Sequence, residues 1–334
     1  MMMGTFKKIV TKSLVILFFG IPLQASAEVF NLPAIGDDLI GAITVATARA
    51  EDTLLDIARR HGVGYEDIVH ANPDVDTWLP GEGTEVILPT RYVLPPGPRE
   101  GIVLNLAEYR MYYYPEVVDG EPSVVMTYPI SIGRMDWETP LGRTTIISKA
   151  RNPSWYPPES IRAEHAAEGD PLPRIVPPGP ENPLGDYAMR LGLPGYLIHG
   201  TNRPDGVGMR VTHGCIRMFP EDIDYLFDRV DIKTAVRIIN EPVKVGWDGD
   251  DLVIEVHETL EVNEPVSGAE EESELPPNFR NAMTVLTAQF VAATNSKAGL
   301  LNWDTAEKLL ARANGIPSVA GHKRANAASS AAFE

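Results

Sequence analysis

Short runs of apolar, β-branched and aromatic residues fill the middle of the chain. Ile102-Val103-Leu104-Asn105-Leu106, Arg110 to Tyr114, Val124 to Ile132 and Thr144 to Ser148 follow one another with turn residues between them. That pattern predicts a mostly antiparallel sheet or barrel. Tyr196-Leu197-Ile198, Ala235 to Ile239 and Leu252 to Val256 read as further strands. Helical spacing is confined to a few places. Ile223, Leu226, Phe227 and Val230 share one face of a helix over 221–230. Residues 53–62 read as an amphipathic helix ending at Gly62, and Tyr65 to Ala71 as a second, stopped by Asn72-Pro73. Strands at Ile43-Thr44-Val45 and Val86 to Pro89 flank this helix pair, so residues 40–91 form a small βααβ unit. Two more helices are predicted over 282–292 and 305–313, the second stopped by Gly315 and Pro317. The fold class is mainly β with short helices: a β-sandwich or barrel domain over 99–242, closing strands over 243–262, and a C-terminal helical extension.

Proline changes the picture between Asn152 and Gly185. Nine prolines from Pro153 to Pro183, with Trp155 and Tyr156 at the start, exclude regular strand or long helix. Irregular loops of this length are usually functional or disordered. This one precedes the His199 strand, so it reads as a lid or substrate wall; a passive surface excursion is the plainer alternative. Tyr92 to Arg99 reads as a stiff linker. The acidic run Glu261 to Asn278 reads as a solvated linker, and the Ala/Ser-rich tail from Ala325 to Glu334 as disordered. Residues 263–334 thus comprise linker, helices and tail.

The 334 residues suggest about two domains. Lys7, Lys8 and Lys12, the short apolar run Leu14 to Ile21 and Ala25-Ser26-Ala27 have the form of an export signal over 1–27. The apolar run is short of the roughly 20 residues that span a bilayer. An uncleaved anchor is therefore disfavoured, and the mature chain is expected to have no transmembrane segment. Removal of the signal would move the net charge from -17 to about -20. So acidic an exported chain is a poor nucleic-acid binder, because phosphate recognition needs clustered Lys and Arg.

One cysteine, Cys215, is present, and it cannot form an internal disulfide. It sits in Thr212-His213-Gly214-Cys215-Ile216-Arg217-Met218, downstream of Ile198-His199-Gly200-Thr201-Asn202. A lone cysteine is more often buried filler, but two histidines and an arginine nearby are what a reactive thiolate needs. Two neighbouring strands would bring His199 beside Cys215. Gly200 and Gly214 permit close backbone approach, and the amides of Gly214 and Cys215 are oxyanion-hole candidates. Arg217 is placed to hold a substrate carboxylate, with Arg210 a weaker candidate. His213 reads equally well as a structural donor. Cys215, His213 and His199 as zinc ligands is a further alternative, though His-x-Cys on one strand is not a common metal spacing. No cofactor is indicated.

These motifs, with Ala71-Asn72-Pro73, Met111 to Pro115, Pro177 to Pro183 and Asn240 to Lys244, resemble the L,D-transpeptidases of the YkuD fold. The likeness is greatest to the periplasmic type that attaches murein lipoprotein to peptidoglycan. The βααβ unit, with its TLxxIAxxxGV pattern from Thr53, resembles LysM modules, which bind N-acetylglucosamine polymers; a purely structural unit is the alternative. The resemblance implies a YkuD-type domain in which Cys215 attacks the bond after meso-diaminopimelate in a tetrapeptide stem. It implies His199 as general base and acid, oriented by the Gly200 carbonyl, and His213 in support. Gly214 and Cys215 amides would hold the oxyanion. Thr212 stands where serine is frequent and keeps the hydroxyl. It joins Arg217, Arg210 and Trp155 as the expected substrate-binding residues, with acceptor choice placed in the lid around Trp155. The expected partners are peptidoglycan tetrapeptide stems and an acceptor amine: a lipoprotein lysine or a second diaminopimelate, with water as the hydrolytic outcome. A non-catalytic peptidoglycan-binding protein is the competing class.

Overall fold

The computed structural model describes residues 28–135, 137–260, 277–295 and 297–324. The export signal, most of the acidic linker and the C-terminal tail lie outside these residues. Among the described residues no helix is long and apolar enough to cross a membrane.

The sheet that carries the site has nine strands. Across it run Glu28–Asn31, Val124–Pro129, Arg110–Tyr114, Gly101–Asn105, Ala235–Ile239, Gly142–Arg151, Tyr187–Leu191, Leu197–His199 and Ile216–Arg217. Most neighbours are antiparallel, as the runs of residues predict; Ala235–Ile239 pairs parallel with Gly101–Asn105, and Ile216–Arg217 parallel with Leu197–His199. Its core gathers Met111, Tyr128, Ile130, Ile198, Ile216 and Met218 with Ile223, Leu226 and Phe227 from a helix over the sheet. The first strand, Glu28–Asn31, carries too few apolar residues to read as a strand alone; its register on Val124–Pro129 makes it one.

The βααβ unit forms as predicted, with strands Thr44–Thr47 and Glu85–Leu88 around α1 (Leu54–Arg60) and α2 (Tyr65–Ala71). Thr53 opens α1 with a capping box: its hydroxyl accepts the Asp56 amide, and the Asp56 carboxylate accepts the Thr53 amide at 2.9 Å. The unit is not tethered loosely. The Tyr65 and Glu66 amides donate to the carbonyls of Val207 and Gly208, in the loop between the two motifs. Arg59 grips Glu221 with both carboxylate oxygens, at 2.8 and 3.0 Å. Between the two bodies Arg110, 1% exposed, donates to Asp67 Oδ2 at 2.9 Å and stacks over the Tyr92 ring. A buried ion pair of this kind is costly to break, because the remaining charge is stranded. Asp67→Ala is therefore expected to lower stability by about 3–5 kcal/mol. A stability loss in urea melts below a fifth of that would show the docking to be incidental.

Two helices interrupt or follow the sheet. In the proline-rich segment, α3 (Glu159–Ala167) occupies the proline-free interval between Pro158 and Pro171. This corrects the expectation that the segment lacks regular structure: prolines exclude a helix only where they fall. Pro220 begins α4 (Pro220–Phe227), a first-turn position where its missing N–H costs nothing. The closing strands Val243–Asp248 and Asp251–Val256 join Ser318–Lys323 and Gly299–Leu301 in a four-stranded sheet, packed by α5 (Pro277–Thr294) and α6 (Trp303–Arg312). The C-terminal extension is thus α/β rather than helical alone. Ala313, not Gly315, takes the left-handed conformation that ends α6.

Candidate active site

The two motifs meet on the last two strands of the large sheet. Ile198 lies opposite Ile216 and His199 opposite Arg217 in a parallel pair. Cys215 immediately precedes its strand, at the level of Leu197. Its Sγ lies 3.7 Å from the Gly195 carbonyl. Burial pushes the thiol up from its ordinary range; the Leu197 amide and the Arg217 charge oppose this and lose.

His199 is buried, and its Nδ1 lies 2.6 Å from the Gly200 carbonyl. A carbonyl only accepts, so Nδ1 carries the proton and Nε2 is left as the base. Burial, reinforced by the Arg217 guanidinium, depresses its pKa to about 4. Both shifts favour the uncharged forms, imidazole for His199 and thiol for Cys215.

The turn before the cysteine is tightly built. Gly214 has φ +94, and a Cβ there would lie 2.8 Å from the Tyr196 ring. A Cβ on Gly133 would lie 2.9 Å from Gly214 Cα, so the two backbones touch. Thr139 joins them: its hydroxyl accepts the Gly133 amide at 3.2 Å and donates to the Gly214 carbonyl at 2.9 Å.

Residues 99–238, which hold this geometry, match the L,D-transpeptidase catalytic domain model called YkuD. The chain is 42% identical over 244 residues to YbiS of Escherichia coli K12, which carries the name Probable L,D-transpeptidase; the match covers 72% of this chain and 78% of YbiS. The chain belongs to the L,D-transpeptidase family. ErfK/SrfK of Salmonella typhimurium LT2, which carries the same name, is 38% identical over 291 residues, covering 86% of this family member and 89% of its own length. A solved L,D-transpeptidase catalytic domain from E. faecium aligns over 42% of this chain and 96% of that domain, at 24% identity and a TM-score of 0.31.

The remaining expected site residues of this L,D-transpeptidase family member have individual settings. Thr212 donates its hydroxyl to the Cys215 carbonyl at 2.6 Å, a contact that holds the turn. Arg210 donates Nε to the Gly133 carbonyl at 3.1 Å and lies 3.7 Å from Glu138. Arg217 is half-buried, and its Nε finds no hydrogen-bond partner among the described residues. Trp155 pairs its backbone with Val176 in both directions at 2.9 Å, closing the neck of the proline-rich segment. His213 packs edge-on against Trp137, and its Nε2 lies 3.1 Å from Glu164 Oε2 on α3. Burial lowers its pKa against the pull of that carboxylate.

Among the described residues, one set of three His, Cys, Asp or Glu brings its ligand atoms within 4.8 Å of one another: Glu108, Glu255 and His257. The zinc alternative at Cys215, His213 and His199 therefore lacks converging ligands. Lys244 already fills the acidic cluster, bonded to Glu108 and 2.8 Å from Glu255. A cleft of about 770 Å³ opens beyond the Gly200 end of the strands, lined by residues including Tyr187, Thr201, Asn202, Glu221 and Asp224.

Sequence reasoning missed Arg134, Trp137, Thr139 and Glu164. Arg134 to Thr139 lie in a short turn with no periodicity. For Glu164 a signal existed, because Glu159 to Gly169 is proline-free and rich in good helix formers.

Proposed function

We propose that this chain is a peptidoglycan L,D-transpeptidase that works through a cysteine thioester. The observation that carries the reading is the buried His199, held through Nδ1 by the Gly200 carbonyl on the strand that pairs with the one opening after Cys215. Cys215 Sγ attacks the carbonyl of the meso-diaminopimelate–D-alanine bond while His199 Nε2 accepts the thiol proton. The amides of Gly214 and Cys215 hold the oxyanion. As the C–N bond breaks, His199 returns the proton to the departing D-alanine amine and the thioester remains. An acceptor amine then loses a proton to His199 and attacks the thioester. A new amide forms and the cysteine recovers its proton. The acceptor amine belongs to a lipoprotein lysine or to a second diaminopimelate; water in its place gives a carboxypeptidase. The export signal expected over 1–27 supports a periplasmic setting for this chemistry.

Because the resting pair is neutral, thiolate forms only as His199 takes the proton. The acid limb of kcat/KM is expected near pH 4, well below the ordinary histidine value near 6.5. Thiolate absorbance should be absent at neutral pH and rise only on the alkaline side. An acid limb at the ordinary histidine value, with thiolate already present at neutral pH, would contradict this.

The binding-protein reading draws support from the LysM-like unit, where Trp78 and Leu79 are 61% and 79% exposed. The two are separated by mass spectrometry of products from disaccharide tetrapeptide, with and without a lipoprotein C-terminal peptide ending in lysine. Loss of D-alanine with a peptide adduct supports transfer to lysine, and diaminopimelate-linked dimers support wall cross-linking. Unchanged tetrapeptide with intact sacculus binding supports the non-catalytic reading.

A further inference from the structure

Glu164 reaches the catalytic turn from α3, in the middle of the lid. Both of its carboxylate oxygens are engaged there, and by different side chains. Oε1 accepts from Arg134 Nη2, and Oε2 lies 3.1 Å from His213 Nε2. The two partner residues are rooted in the frame of the active site, not in the lid. The Arg134 amide donates to the Thr212 carbonyl at 2.9 Å. Gly133, just before it, touches Gly214, and His213 lies two residues before Cys215. Trp137 walls the His213 ring on one side. A planar carboxylate with one donor at each oxygen is the standard arrangement for recognising that group.

The element that brings Glu164 is weakly held. Ile161 is the one buried residue of α3, so few apolar contacts anchor it, as in segments that open readily. The Arg134 hydrogen bond keeps the Glu164 carboxyl ionised, below its usual range. On α3 the contact to the catalytic frame is thus made by the Glu164 carboxylate, with Ile161 as the one buried apolar anchor.

We propose that Arg134 and His213 form a carboxylate-binding subsite beside Cys215, and that Glu164 fills it only until a carboxylate of the stem peptide displaces it. The proposal rests on the transpeptidase reading, which supplies a ligand with several free carboxylates next to the scissile bond. Substrate entry exchanges one carboxylate for another on the same two donors and releases α3. No charge is left stranded in the exchange, so the latch costs little to open for a ligand that carries the group. A neutral ligand has no such means of entry.

The test is calorimetric binding of disaccharide tetrapeptide to the inactive Cys215→Ala chain, with and without Glu164→Gln. Removing the internal competitor is expected to tighten binding about 5- to 10-fold, the scale of one surface charge-assisted contact. The same peptide with its carboxyl groups amidated should gain nothing. Adding Arg134→Met to Glu164→Gln should reverse the gain. Unchanged or weaker tetrapeptide binding by Glu164→Gln, with the fold intact by circular dichroism, would overturn the subsite and leave Glu164 a mere prop for His213. An equal gain for the amidated peptide would also overturn it, since the effect would then be lid loosening. Failure of the transpeptidase reading looks different: the wild-type chain would neither release D-alanine nor bind the tetrapeptide.

Discussion

Cys215→Ala is expected to leave the melting temperature unchanged and to lower D-alanine release by at least about 10⁴-fold, as losses of covalent nucleophiles do. The thiol is half-buried and makes only a long contact to the Gly195 carbonyl, so its removal leaves no unpaired polar group. His199→Ala should cost about 10²–10⁴-fold, the range for a general base. It should also lower stability slightly, because the Gly200 carbonyl loses its donor. The two residues act as one unit, so the double variant should be no slower than Cys215→Ala alone. Additive losses would mean that His199 acts elsewhere than on the thiol. Retained turnover in Cys215→Ala would end the thioester mechanism.

The second large effect lies away from the site. Lys244 Nζ is buried between Glu108 and Glu255, with Tyr112 Oη 3.1 Å away. Burial works against its charge, but the two carboxylates outweigh it and hold the ammonium protonated. Each carboxylate has further donors: Asn105 and Tyr112 on Glu108, and the Val93 amide and His257 on Glu255. The network joins the strand hairpin from Gly101 to Tyr114 to the C-terminal sheet. Lys244→Met strands two buried negative charges and is expected to cost about 3–5 kcal/mol. Combining it with Glu108→Gln and Glu255→Gln should return much of the loss, since amides carry no charge to strand. Denaturant midpoints measure both. If the triple variant is no better than Lys244→Met, charge stranding is not the cause.

Much of the large sheet was legible because its strands are dense in β-branched and aromatic residues, as at Arg110–Tyr114 and Ala235–Ile239. The nearness of the two motifs was legible for a related reason: Ile198 and Ile216 are core residues of adjacent strands. Helix α3 was hidden by averaging over a proline-rich stretch when the proline spacing carried the information. The strand Ser318–Lys323 holds Ala320 and Gly321 in its middle and is a strand because Asp251–Val256 and Gly299–Leu301 lie on either side of it. Docking of the βααβ unit was illegible for a different reason. Asp67 and Arg110 are 43 residues apart, and nothing local marks either as buried. The same holds for Glu164 and His213, 49 residues apart. Local propensity sees elements, whereas charge pairing across long separations appears only once the chain is closed.

The neutral state of Cys215 bears on where such a protein can survive. Thiol–disulfide exchange and peroxide oxidation both begin from the thiolate. In an oxidising compartment an acidic, exposed cysteine would be captured by other disulfides or over-oxidised before it met its substrate. Burial pushes this thiol up and so disfavours the thiolate from which that chemistry starts. The feature that makes Cys215 a poor nucleophile at rest also makes it a durable one.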